Sequence, residues 1–228
     1  MVVYMITYKI HMIRHGLTQA NLERKYIGRT DPPLCDVGLR QLRELQKDWG
    51  YPPVQQVYSS PLIRATQTAK LIYPNHEPEL VEGIREIDFG DFEDRTIEDL
   101  EKDPVFREWI ASEDMAVPNG ESGKDVYERS VEALGWIFQQ MMDKKLTSAA
   151  VITHSGLITG LLANLGLPER EAVRWNCEPG RGYTLLMTPQ LWMRDKKFEV
   201  YGRVPVPLYS EDEEETAYWQ DLDYSDGM

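Results

Sequence analysis

The sequence predicts an α/β fold, a three-layer α/β/α sandwich around a mostly parallel central sheet. Three observations predict it. Short apolar runs alternate with segments of helical period through the first half, as expected of a parallel sheet covered on both faces. The 228 residues are 42% hydrophobic, enough for one large core. Two of the apolar runs stop abruptly at turns that carry a histidine and a glycine, Arg14-His15-Gly16 and His154-Ser155-Gly156. We read residues 1–208 as a single domain, with a lid-like excursion over 90–122, and 209–228 as an acidic tail.

The elements follow in order. Lys9 to Ile13 is a first strand behind a short extension. Lys9 and His11 interrupt its apolar part and no basic leader precedes it, so it does not read as an export signal. Asp36 stands at an N-cap position, and Leu39, Leu42, Leu45 and Trp49 follow at helical spacing. Pro52-Pro53 breaks the chain before a strand from Val54 to Ser59. Ser60-Pro61 predicts a helix start, with serine as cap and proline in the first turn, running to about Tyr73. Glu79 to Val81 is a weaker strand. Residues 90–122 are acidic and irregular, with Phe92, Phe106 and Trp109. A long amphipathic helix then turns Val126, Ser130, Val131, Leu134, Ile137, Phe138 and Met141 inward. Ala149 to Thr153 is a buried strand, followed by an apolar helix ending near Gly166. Gly182 to Met187 and Phe198 to Val204 are late strands. There is no internal repeat.

Charge narrows the function. The net charge is −13, and eight acids with no lysine or arginine lie between Glu211 and Met228. The rest is only mildly acidic, whereas a nucleic-acid binder carries a basic surplus. No apolar run is long enough to span a membrane. Cys35 and Cys177 are far apart and have no metal-ligand spacing, which suits a reduced, cytoplasmic chain. Charge alone predicts a solvated tail, although Tyr218, Trp219 and Tyr224 allow a docked one. The sequence leaves the oligomeric state open, a homo-oligomer included.

If the strands are parallel, Arg14, His15, Arg64 and His154 all emerge at one carboxyl edge of the sheet, where open α/β sheets place ligands. Two arginines and two histidines at one point call for an anion, because the guanidinium fork matches phosphate oxygens. Nearby helix N-termini add backbone donors. Thr18 and Asn21 are further candidate donors. His11 reads as a packed or hydrogen-bonded core residue and His76 as an exposed turn residue.

This pattern resembles the histidine phosphatase superfamily, the phosphoglycerate-mutase-like fold. The resemblance runs from about Lys9 to Tyr183. Four pieces carry it: Arg14-His15-Gly16 with Thr18 and Asn21; Ser59 to Ala69, containing Arg64; Glu86 to Glu93; and the late strand ending in His154-Ser155-Gly156. Gly120-Glu121-Ser122 with Arg129 also matches. In the third piece Phe92-Glu93-Asp94 stands where the family usually has Trp-Glu-Gly. Phenylalanine keeps the packing, and Asp94 is expected to reshape the loop.

The resemblance implies that His15 attacks phosphorus and becomes a phosphohistidine. It implies that Arg14, Arg64 and His154 surround the equatorial oxygens and that Glu86 protonates the leaving alkoxide. The neighbouring cations would keep His15 neutral, as a nucleophile must be, while His154 could carry a proton. The other ring nitrogen of His15 needs an acceptor, for which a backbone carbonyl at Gly16 is expected. No metal and no cofactor is called for, since the arginines supply the positive charge. The partner is then a small phosphorylated metabolite, with no nucleic acid and no membrane. The segment from Glu86 to His154 is compact, which favours hydrolysis of a small phosphate monoester. A phosphoglycerate-mutase-type transfer and a non-catalytic phosphate-binding module are the alternatives. Arg181, Trp109 and Tyr127 are candidates for the specificity rim, with ordinary packing as the simpler reading of each.

Overall fold

The structure is a computed structural model that describes residues 6–112 and 115–208. The acidic tail lies outside the described residues. The elements, in chain order, are β1 (Tyr8–Arg14), α1 (Gln19–Leu22), α2 (Asp36–Asp48), β2 (Trp49–Gly50), β3 (Gln56–Ser59), α3 (Ile63–Ile72), β4 (Glu79–Leu80), α4 (Ile97–Leu100), α5 (Pro104–Ile110), α6 (Gly123–Asp143), β5 (Ser148–Thr153), α7 (Ser155–Leu165), β6 (Gly166–Leu167), β7 (Gly182–Met187), α8 (Pro189–Asp195), β8 (Phe198–Val204) and β9 (Val206–Pro207).

Seven strands form one sheet in the order β4-β3-β5-β1-β7-β8-β6, and β2 pairs with β9 separately. β1, β3, β4 and β5 are mutually parallel, as is β6 with β8, while β7 is antiparallel to both of its neighbours. The sandwich and its mostly parallel sheet are therefore as expected.

Successive residues of the central strands serve opposite layers. Ile10, Met12, Tyr58 and Val151 face one core with Leu134, Ile137 and Phe138 of α6 and Leu157, Ile158 and Leu161 of α7. Ile13, Val57, Ala150 and Ile152 face a second core with Leu42 of α2 and Ala65, Ala69 and Ile72 of α3. Each fully buried aliphatic side chain contributes about 1.5–3 kcal/mol relative to exposure. The excursion has its own small core of Phe92, Leu100, Phe106 and Val117, on which Tyr26, Phe89 and Trp109 pack. Phe92 is 1% exposed, so it does keep the packing expected of the family's tryptophan.

Several local expectations need correction. Cys35, not Asp36, is the residue before α2, and Asp36 is the first helical residue, where its charge suits the helix dipole. Trp49 leaves the helix to pair with Pro207. Ser60-Pro61 does not start α3. The helix begins at Ile63, whose N–H donates to the Asp31 carboxylate at 2.8 Å and 2.9 Å. His76 is half-buried, bonds the Val54 carbonyl at 3.0 Å and packs edge-on to Tyr73. Asp94 sits in the left-handed region of its loop. It adopts φ 59°, a conformation aspartate tolerates better than most residues, and it pairs with Lys25 at 3.0 Å. His11 is buried and hydrogen-bonds Thr184 Oγ1 at 2.9 Å, as expected of a core residue.

Helix α2 presses on the loop behind His15. Cys35 N donates to the Leu17 carbonyl at 3.1 Å, and a Cβ at Gly38 would run into that same oxygen. Gly38→Ala should therefore destabilise the fold by roughly 1–3 kcal/mol, the usual cost of overpacking. Helix propensity alone would predict a gain of about 1 kcal/mol. Urea unfolding of the two proteins distinguishes these signs.

Candidate active site

The site is built where β1, β3 and β5 end. The parallel register sets Arg14 beside Thr153 and Ser59 beside Ile152. One residue further on, the ladder continues: His15 N donates to Thr153 O and Ser60 N to Ile152 O, both at 2.9 Å. Residues 15, 60 and 154 are thereby fixed next to each other by backbone alone.

The rings of His15 and His154 lie 5.1 Å apart, centroid to centroid, tilted by 58°. His15 is 3% exposed and His154 is fully buried. His15 Nδ1 is 2.6 Å from the Gly16 carbonyl. A carbonyl can only accept, so Nδ1 carries the proton and Nε2 keeps its lone pair. Burial, and then the charges of Arg64 and Arg14, push His15 down to about 3. The ring is neutral at physiological pH.

His154 differs from expectation. Burial, with His15 and the arginines beside it, holds it well below the ordinary histidine range, so it is neutral as well. Its Nε2 lies 2.8 Å from Ser60 Oγ, while its Nδ1 is buried without a hydrogen-bond partner among the described residues. Glu86 Oε2 is 3.9 Å from that Nδ1. Burial raises the Glu86 carboxyl despite Arg64 and Arg14 nearby. Its side chain is still 12% exposed, so a ligand can reach it. Imidazole and carboxyl thus face each other with burial disfavouring the charged form of each.

The cations are held by oxygen. Arg14 donates from Nη1 to Cys177 O at 2.8 Å, and its Nε is buried and unpartnered. Arg64 is fully buried. It donates to Thr30 O and Gly28 O, each at 3.1 Å, and lies 3.4 Å from Asp31, while its Nε has no partner. Arg14 Nε, Arg64 Nε and His154 Nδ1 are thus three orphaned nitrogens on the neighbours of the His15 ring. Buried groups left this way point to a missing acceptor.

Four supports were not assigned roles on sequence grounds. Glu93 accepts from the backbone N–H groups of Gly28, Arg29, Thr30 and Phe89 at 2.8–3.2 Å. It clamps the loop whose carbonyls hold Arg64. The clamp is close: the Ile87 carbonyl occupies the place a Cβ on Gly28 would need. Glu121 takes Arg129 bidentately, at 2.9 Å to each oxygen. Arg129 then donates to the Gly83, Arg85 and Glu86 carbonyls and fixes the turn that presents Glu86. Thr68 Oγ1 donates to Arg64 O at 2.7 Å and accepts from Gly16 N at 2.9 Å, bracing α3 against the histidine loop. Their only sequence signal was membership in the quoted motifs.

The remaining candidates lie elsewhere or are engaged. The Thr18 hydroxyl is fully buried and donates to Asn21 Oδ1 at 3.0 Å, closing a capping box on α1. Thr18 is therefore no free donor, whereas the Asn21 amide nitrogen makes no bond among the described residues. Arg181 is engaged: it stacks over Trp49 at 4.7 Å and pairs with Glu178 at 3.3 Å. Trp109 packs within the aromatic cluster of the excursion, and Tyr127 packs against the main core.

A doubly covered sheet that ends in a neutral imidazole, two buried guanidiniums and a carboxyl of raised pKa suits phosphoryl transfer. The comparisons agree. Residues 10–195 match the Histidine phosphatase superfamily (branch 1), and the chain belongs to that family. It is 27% identical over 161 residues to an adenosylcobalamin/α-ribazole phosphatase of Salmonella typhimurium, covering 69% of this chain and 79% of the relative. It is 31% identical to the uncharacterized phosphatase PhoE of Bacillus subtilis, covering 72% of this chain and 81% of that one. A phosphoglycerate mutase structure from Bacillus anthracis shares the fold with a TM-score of 0.69 at 19% identity, covering 86% and 92% of the two chains. The chain is thus a phosphatase of this superfamily. No helix among the described residues is long and apolar enough to cross a membrane.

Glu93 yields a prediction. Although burial raises its carboxyl, bonds from Thr30, Arg29 and Gly28 together hold it below the ordinary 4.5. A depressed folded value adds stability above the unfolded value, and that stability is lost as pH falls through the folded one. Glu93→Gln should cost about 1–3 kcal/mol at pH 7. It should also flatten the loss of stability below pH 4.5, which denaturant titrations from pH 7 to 3 would measure.

Proposed function

We propose that this phosphatase hydrolyses a small phosphate monoester through a phosphohistidine on Nε2 of His15. The observation that carries the reading is the bond from His15 Nδ1 to the Gly16 carbonyl, which leaves Nε2 unprotonated amid three unpartnered buried nitrogens. Nε2 attacks phosphorus, and the ester oxygen leaves in line. Arg14, Arg64 and His154 donate to the equatorial oxygens, a preorganised arrangement whose loss typically costs on the order of 10²–10³ in rate per donor.

Glu86 gives its proton to the leaving alkoxide, a role supported by its raised pKa and its position against His154. Water then attacks the phosphohistidine, with the carboxylate now accepting a proton. Inorganic phosphate leaves and His15 returns to its neutral form.

Hydrolysis rather than phosphoglycerate-mutase transfer is favoured by the compact segment from Glu86 to His154 and by the phosphatase names of the relatives. The Salmonella relative's name makes an α-ribazole-type phosphate the first physiological ester to assay. A non-catalytic phosphate-binding module would not need a raised acid opposite the nucleophile. The cytoplasm is the expected compartment.

Two measurements test the reading. His15→Ala should abolish turnover of p-nitrophenyl phosphate, and 2- and 3-phosphoglycerate should not interconvert even with a bisphosphoglycerate primer. Glu86→Gln should slow an alkyl phosphate by about 10²–10⁴-fold, the usual range for general acid catalysis. Its effect on p-nitrophenyl phosphate should be far smaller, since that leaving group needs no proton. The working acid is the protonated form, so the wild-type alkyl rate falls as pH rises through the Glu86 pKa, and Glu86→Gln lacks that limb. Equal losses on both esters would remove Glu86 from the acid role.

A further inference from the structure

The serine pair that opens the second motif presents an unexplained detail. Ser60 is fully buried, and its hydroxyl lies 2.8 Å from His154 Nε2. A serine before a proline ordinarily caps the helix that follows, and here it does not. Pro61 has no N–H to offer, and Leu62 N reaches Ser60 Oγ only at 3.4 Å. The Asp31 carboxylate, from a distant loop, takes the Ile63 N–H instead. The Ser60 hydroxyl is thereby released from helix duty and given to a histidine of the site.

We propose that Ser60 is a positioning residue for phosphoryl transfer: its hydroxyl donates to His154 Nε2 and so places the single imidazole proton on Nδ1, toward the phosphoryl group. The proposal rests on the phosphatase reading above. The direction of the bond follows from counting partners. The other hydrogen-bond contact of Ser60 Oγ among the described residues, Leu62 N at 3.4 Å, is itself a donor, so the hydroxyl hydrogen has only Nε2 to go to. The reverse direction would strand that hydrogen in a buried place. It would also turn the Nδ1 lone pair, rather than an N–H, toward the bound anion. With Nδ1 protonated, His154 joins Arg14 Nε and Arg64 Nε as a third donor awaiting an acceptor. A neutral histidine can then do the work expected of a charged one.

The tautomer can be read without catalysis. In the wild-type protein labelled with ¹⁵N-histidine, long-range ¹H–¹⁵N spectra should show His154 protonated at Nδ1, assigned by comparison with His154→Gln. Protonation at Nε2 would overturn the proposal. Ser60→Ala should lower kcat on p-nitrophenyl phosphate by roughly 10–100-fold, the range typical of removing a group that orients a ligating histidine. Ser60→Thr, which keeps the hydroxyl, should recover most of that loss.

A Ser60→Ala rate within twofold of wild type, or a threonine variant no better than alanine, would each overturn the proposal. If the wild type turns over no phosphate ester, the phosphatase reading fails, and the NMR tautomer still decides the role of Ser60.

Discussion

The site depends on one constraint, the register of three parallel strands at their carboxyl ends. Two backbone bonds beyond the sheet proper, His15 N to Thr153 O and Ser60 N to Ile152 O, carry the ladder one residue past the strands. That extra rung lies between the covered sheet and the ligand space. It brings residues from three distant parts of the chain to neighbouring points with no side-chain search. A slip of one residue would turn each histidine to the other face of the sheet and into a core. The two apolar cores on opposite faces therefore do more than stabilise. By fixing which residues of β1 and β5 point each way, they fix where the imidazoles emerge.

Holding cations at that edge is a separate problem. Arg64 is fully buried, and an isolated buried charge is costly unless it is hydrogen-bonded. The solution is indirect. Backbone carbonyls of the 27–30 loop take the guanidinium, and Glu93 takes that loop's N–H groups, so one carboxylate and one guanidinium stabilise opposite sides of the same peptide units. Glu121 and Arg129 repeat the device beneath Glu86. In both cases the charge that would neutralise a site group stands one peptide layer away. It fixes geometry without occupying the ligand's place.

Much of this was legible in the sequence because it is local. Strand, glycine turn and helix follow one another along the chain, and Arg14, His15, Arg64, Glu86 and His154 stand in short motifs. What was not legible was partnership at long range. Ser60-Pro61 reads as a helix start because its neighbours say so; nothing in those residues announces that Asp31 supplies the cap and His154 receives the hydroxyl. Arg181, flanked by glycines, reads as a rim residue, and nothing in those residues announces that Trp49 and Glu178 engage its side chain. Thr18 reads as a donor, yet its hydroxyl is consumed three residues away by Asn21. Whether His154 carries a proton is open until its complete burial is known.

The electrostatic arrangement that results separates permanent charge from switchable charge. Arg14 and Arg64 cannot lose their protons under biological conditions, so the free site always presents two cations. Burial shifts the three titratable groups, His15, His154 and Glu86, toward their neutral forms. Two imidazoles and a carboxyl thus coexist in one small space, each biased against the charge it would carry in an ion pair. The same burial that makes these groups poor ions makes them ready reagents. A dianionic phosphate reinforces the arrangement, because its charge favours protons on Glu86 and His154 while its oxygens satisfy the orphaned donors.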